Sequence, residues 1–181
     1  MKCSHLLPFV VTALLGACSQ DSGNRDAGQP TAPTAELAKF TLTADPGEAL
    51  GVVAAKAAGE AKEIVVEGRV HDITKGFAML KLMDTQLEYC GQVNKEDNCP
   101  TPWDYCCDSK DDRLANSLLV ELRGADGRPI VTASLPEVRL CDLIKVRGAL
   151  QKDAQGSPVL VASGVFRVER PQLPDYVKWP Q

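Results

Sequence analysis

Four cysteines, Cys90, Cys99, Cys106 and Cys107, fall within eighteen residues of a 181-residue chain that holds seven cysteines in all. Thiols this dense bridge in pairs, hold a soft metal ion, or exchange electrons as a dithiol. In an oxidising compartment two disulfides are the expected outcome, and closing a 15-residue loop is worth ~3 kcal/mol in chain entropy. Adjacent Cys106 and Cys107 have Cα atoms about 3.8 Å apart, below the usual disulfide span, so each pairs with less strain to Cys90 or Cys99. Which partner goes with which stays open. The second reading is a four-thiolate zinc or iron–sulfur site, but such ligands usually stand two to four residues apart, and the gaps here are eight, six and none. No metal and no other cofactor is therefore expected. The third is a redox pair at Cys106 and Cys107, without a Cys-x-x-Cys and with only Lys110 and Arg113 nearby to lower a thiol pKa. Cys141 is odd in every scheme: a small buried hydrophobe, a substitute in one bridge, or a link between two chains.

The same stretch, residues 84–113, carries eight carboxylates against three cations, a net of −5 in a chain whose formal charge is −4. Tyr89, Trp103, Asp104 and Tyr105 form its candidate binding surface. The aromatic rings could stack on a ligand, but their acidic surroundings repel a phosphate backbone, so nucleic acid is not an expected partner. A neutral sugar, a peptide or a basic protein patch suits the loop better. The alternative is that Trp103 and Tyr105 cap the fold while the acids are solvated. Asp108, Asp111 and Asp112 could catch Ca²⁺, though without the glycine and terminal glutamate of an EF-hand loop. Enzyme chemistry finds little support. Past the leader His71 is the one histidine, and the chain has no Gly-x-Ser-x-Gly, His-Glu-x-x-His or glycine-rich phosphate loop. No catalytic residue is assigned.

The elements that must position this loop are mostly strands. Alternation predicts strands over 64–73, 77–83, 117–123, 143–150 and 158–169, with Val66, Gly68 and Val70 facing inward on the first and Ile144, Val146 and Gly148 on the fourth. Ala125-Asp126-Gly127-Arg128 turns the chain into 129–132. Asp45-Pro46-Gly47-Glu48 reads as a helix start with Asp45 as N-cap, and Leu50, Val53, Ala54 and Ala57 recur at helical spacing behind it. The fold class is mainly β: a five-stranded barrel preceded by one short helix, with the cysteine-rich loop between strands two and three. Strand glycines at Gly68 and Gly148 and the long excursion after strand two resemble the oligonucleotide/oligosaccharide-binding (OB) barrel. Two departures stand out. Residues 134–139 are too short and proline-interrupted for the helix usual there, and Cys141 occupies a turn position where glycine is more usual.

At the other end, Lys2 precedes an apolar run from Leu6 to Leu15 that is too short to span a bilayer, and Leu15-Gly16-Ala17-Cys18 resembles the lipobox of bacterial lipoproteins. That resemblance implies a signal peptide over 1–17, lipid on Cys18 and a membrane anchor through several acyl chains. Residues 18–35 form a polar tether, 36–170 the barrel domain and 171–181 a proline-rich tail. Ser19 after the cysteine points to the periplasmic face of an outer membrane. Cys99-Pro-Thr-Pro-Trp-Asp-Tyr-Cys-Cys107 resembles a signature of uncharacterised OB-like lipoproteins of planctomycetes, which implies an envelope location and leaves activity open. The expected function is a lipid-anchored envelope module that binds or scaffolds a protein or envelope component through the stapled acidic loop. An envelope thiol-redox or metal-binding protein is the alternative.

Overall fold

A computed structural model describes residues 32–93, 99–132, 135 and 137–172. The leader, Cys18, the tether up to residue 31 and residues 173–181 of the tail lie outside the described residues. Helix α1 spans Ala32–Ala38, so regular structure starts inside the stretch read as tether. A two-residue strand β1 (Leu50–Gly51) leads into α2 (Val52–Ala58), which replaces the helix expected from Asp45. Among the described residues two helices precede the barrel, in place of the one expected. Gly47 has φ +98°, which no right-handed helix accommodates, and the Asp45 carboxylate accepts from Gly47 N at 2.8 Å and from Lys145 Nζ at 2.8 and 3.0 Å. The Asp-Pro-Gly-Glu sequence makes a turn. Val52 and Ala55, rather than Val53 and Ala54, are the buried residues of the helix.

The barrel strands are β2 (Ala61–Ile73), β3 (Met79–Met83), β4 (Ser117–Glu121), β5 (Leu143–Lys152) and β6 (Pro158–Glu169). Between β3 and β4 the described residues form two short helices, α3 (Cys90–Val93) and α4 (Lys110–Ala115). Strand β2 pairs with both β3 and β5, β4 runs parallel to β6, and β6 pairs antiparallel with β5. The circuit β2-β3-β4-β6-β5-β2 is closed, with one parallel pair, and this is an OB-like barrel. β1 adds a parallel edge strand to β2. Residues 129–132 contribute isolated bridges, Arg123 with Pro129 and Phe77 with Val131.

Closure depends on the strand glycines. A Cβ on Gly148 would overlap the Val161 carbonyl of β6, and one on Gly68 would stand 2.9 Å from the Met83 carbonyl oxygen of β3. Val66, Val70, Leu80, Leu82, Leu118, Val120, Ile144, Val146 and Leu160 fill the interior.

Asp84, 1% exposed, joins the edge of the barrel to α2. Its Oδ2 accepts from Val53 N at 2.8 Å, and its Oδ1 accepts from Gln86 N at 2.9 Å. One carboxylate therefore caps a helix and shapes the turn that opens the cysteine-rich excursion. Gly51 makes room for it, since a Cβ there would lie 2.9 Å from Oδ2. Asp84→Ala is expected to cost about 2 kcal/mol, the loss of a cap plus a buried unpaired amide. Urea midpoints would register it, with Asp84→Asn recovering part of the loss; an alanine variant as stable as wild type would contradict this role.

Candidate functional site

The excursion folds back on the outer face of β2 and β3. Cys90 N donates to Asp104 O at 2.8 Å and Gly91 N to Pro102 O at 2.7 Å, so the two legs of the loop are zipped by backbone before any thiol chemistry. That pairing brings three thiols together. Cys90 Sγ lies 3.2 Å from Cys106 Sγ, and the sulfurs of Cys90, Cys106 and Cys107 all lie within 4.8 Å of one another. All five described cysteines are unbridged here. Cys99 stands apart, its Sγ 3.8 Å from Thr101 Oγ1. Among the described residues the carboxylates form no comparable group, so Asp108, Asp111 and Asp112 do not converge on an ion.

The thiols are poor nucleophiles as they stand. The contact with Cys90, reinforced by desolvation, pushes the Cys106 thiol up to about 12, and the same partner raises Cys107. A redox-active dithiol needs the opposite shift. Cys141 is fully buried in the turn before β5 with φ +66°, and burial pushes its thiol up to about 12. Its carbonyl accepts from Arg69 Nη1 at 3.1 Å, and the same guanidinium sits 5.1 Å from the centre of the Tyr89 ring. Arg69 thus ties the β5 turn to the excursion.

The candidate binding surface divides. Tyr89 and Trp103 are half-buried at the rim, and Trp103 has a partner of its own. Asp104 turns its Oδ1 inward to accept from Tyr105 N at 2.7 Å. Tyr105 is not surface at all. It is 1% exposed, its ring meets His71 edge-on at 5.1 Å and 86°, and it plugs the gap between excursion and barrel. An aromatic ring gains more from covering the outer face of β2 than from exposure, which returns the expected ligand contact to a packing role.

His71 is half-buried beside Tyr105, and its buried Nδ1 has no partner among the described residues. Desolvation pulls the imidazole below its ordinary 6.5; Asp104 opposes this and Lys81 reinforces it. The folded chain therefore takes up this proton less readily than the unfolded chain. The contribution is complete above 6.5 and is lost as pH falls from there toward the lowered value. His71→Asn is expected to lose less stability than wild type between about pH 7.5 and 5.5, read from urea midpoints; equal losses would contradict it.

Sequence reasoning missed a second gathering of charge. A cleft of about 260 Å³ opens between β3 and α4, lined by His71, Lys81, Met83, Lys110, Arg113 and Leu114, with Ser117 at its edge. α4 is held over it from both ends. Ser109 Oγ caps it by accepting from Asp112 N at 3.1 Å, and Lys56 Nζ donates to the carbonyls of Leu114, Ala115 and Ser117 at 3.1, 2.7 and 3.1 Å. Two of the three cations of an acidic loop thus line one cleft with a third cation from the barrel.

No family model matches the chain, and no curated protein matches it. Among solved structures it is similar to the aspartyl-tRNA synthetase of Entamoeba histolytica, at 11% identity and a TM-score of 0.40, over 74% of this chain and 25% of that one. The chain thus spans about a quarter of that protein's length. Among the described residues no helix is long and apolar enough to cross a membrane.

Proposed function

We propose that the chain is a lipid-anchored module of a bacterial envelope, of the planctomycete lipoprotein type its cysteine motif resembles. It binds or scaffolds a protein or envelope component through the excursion and performs no catalysis. The observation that carries this reading is the 3.2 Å approach of Cys90 Sγ to Cys106 Sγ across a loop already zipped by backbone hydrogen bonds. A bridge there closes fifteen intervening residues, removes ~3 kcal/mol of closure entropy from the unfolded chain and tethers the two legs of the folded loop. Cys99 and Cys107 are the thiols left for a second bridge, with Cys99 standing beside Thr101 in this structure. A stapled loop loses little entropy when a partner docks, which is what a binding surface needs.

Leu15-Gly16-Ala17-Cys18 supports the anchor and the polar residues behind it a tether, with the module at the periplasmic face of the outer membrane. Nucleic acid is not among its partners. Expressed in a Gram-negative host, wild type is expected in the membrane fraction and Cys18→Ala in the soluble fraction; an alanine variant retained on washed membranes would contradict the anchor. A second reading, a soft-metal or thiol site, is favoured by one fact: three sulfurs lie within 4.8 Å of one another. The two readings exclude each other at Cys90 and Cys106, because a thiolate held by metal cannot also be bridged.

A further inference from the structure

The cleft between β3 and α4 gathers like charges for which the described residues supply no ion-pair partner. Lys81 sits on the outward face of β3, between inward Leu80 and Leu82, and Lys110 and Arg113 lie one turn apart on α4. Among the described residues none of the three makes an ion pair, although the chain has 24 acidic side chains against 20 basic ones. Two of the loop's acids are engaged elsewhere: Asp104 accepts from Tyr105 N, and Asp112 accepts from Ser109 Oγ at 2.6 Å. Asp72 and Asp104 are the carboxylates whose field reaches His71, and Lys81 and Arg113 oppose them there. Holding three cations around one concavity is unfavourable by itself and becomes favourable when an anion occupies it. Lys56, Ser109 and the backbone of α4 fix the helix that carries two of them.

We infer that this cleft is a binding site for a small phosphate-bearing ligand, held by Lys81, Lys110 and Arg113 with the apolar part of the ligand against Met83 and Leu114. Leu114, an apolar side chain lining the cleft, is 67% exposed. About 260 Å³ accommodates a phosphoester headgroup but not a polymer. Asp111 and Asp112 in the first turn of α4, with Asp108 just before its cap, repel an extended polyanion, so the site selects a compact anion over nucleic acid. Arg113 supplies the planar fork that matches two phosphate oxygens, and the lysines supply point charges. The inference uses neither the lipid anchor nor the cysteine bridges, so either can fail without the other.

The test titrates pyrophosphate into the full chain carrying Cys18→Ala, so that no acyl chain contributes, by calorimetry at about 50 mM salt. A parallel arm uses vesicles of phosphatidylglycerol in phosphatidylcholine, with pure phosphatidylcholine as blank. Saturable one-to-one binding, weakened about tenfold by Arg113→Gln and by Lys81→Gln and unchanged by Lys62→Gln on the far edge of β2, is the expected result. Arg113→Lys is expected to fall between, since it keeps the charge and loses the fork. Circular dichroism melts confirm that each variant is folded. Binding to vesicles with the same variant pattern but not to pyrophosphate assigns the phosphate to a lipid headgroup and supports the site. No saturable binding in either arm, or equal affinity in all variants, overturns it.

Discussion

Arg170→Ala is expected to lose about 3 kcal/mol of stability, among the largest effects of any side-chain truncation in the protein. The reason is Asp142, a carboxylate with 0% exposure. Arg170 Nε donates to its Oδ1 at 2.8 Å and Nη2 to its Oδ2 at 2.7 Å, a two-pronged pair, while Arg139 N donates to Oδ2 at 2.8 Å. Removing the guanidinium strands a buried charge with one backbone donor. The pair also has a structural task. Asp142 O accepts from Val70 N at 2.9 Å and Cys141 N donates to Val70 O at 2.7 Å, so this turn seats β5 on β2, and Arg170 locks it from the far end of β6. Arg170→Lys is expected to recover less than half, because an ammonium cannot meet both oxygens in one plane. Guanidinium unfolding of the two variants checks this; an alanine variant within about 0.5 kcal/mol of wild type would contradict it.

Gly148→Val is expected to cost at least as much, about 3 kcal/mol or more, and to leave the barrel partly open. The overlap is with backbone: the missing Cβ would occupy the place of the Val161 carbonyl, with Ala162 Cα 3.0 Å away. No rotamer change relieves it, so β5 and β6 must separate where their register already shifts, between Arg147 and Gly148. Gly164→Ala is the informative contrast. Its Cβ would meet the flexible Leu42 side chain, which can turn aside, so a smaller loss is expected than from Gly148→Ala, the same chemical change against backbone. Comparable losses for both glycines would argue against backbone contact as the cause.

The strand glycines Gly68 and Gly148 show what was legible in the chain. Strand interiors alternate in sequence because one face is buried, and a glycine inside such a pattern marks a close approach, so Gly68 and Gly148 could be read without coordinates. Cys141 was legible in the same way: a turn that usually takes glycine places it at φ +66°. Asp45-Pro46-Gly47-Glu48 misled because a turn and a helix start share residue types, and what decides between them is tertiary. β1 pairs with Val66 and Glu67 of β2, and the cap of α2 arrives from Asp84, thirty-one residues downstream. Tyr105 misled for a related reason. Its neighbours in sequence are acidic and solvated, but its neighbours in space are His71 and the barrel wall. The cationic cleft has no local signature, because Lys81 and Arg113 are thirty-two positions apart and only the return of α4 over β3 joins them.

The central claim is that the excursion is a disulfide-stapled binding surface, and non-reducing peptide mapping with intact mass of protein purified from membranes tests it most directly. The expected result is a four-hydrogen deficit, a cross-linked peptide joining Cys90 to Cys106, no metal increment, and an acyl increment that disappears in Cys18→Ala. Four alkylatable thiols at Cys90, Cys99, Cys106 and Cys107, or thiols protected by a bound metal ion, would contradict it.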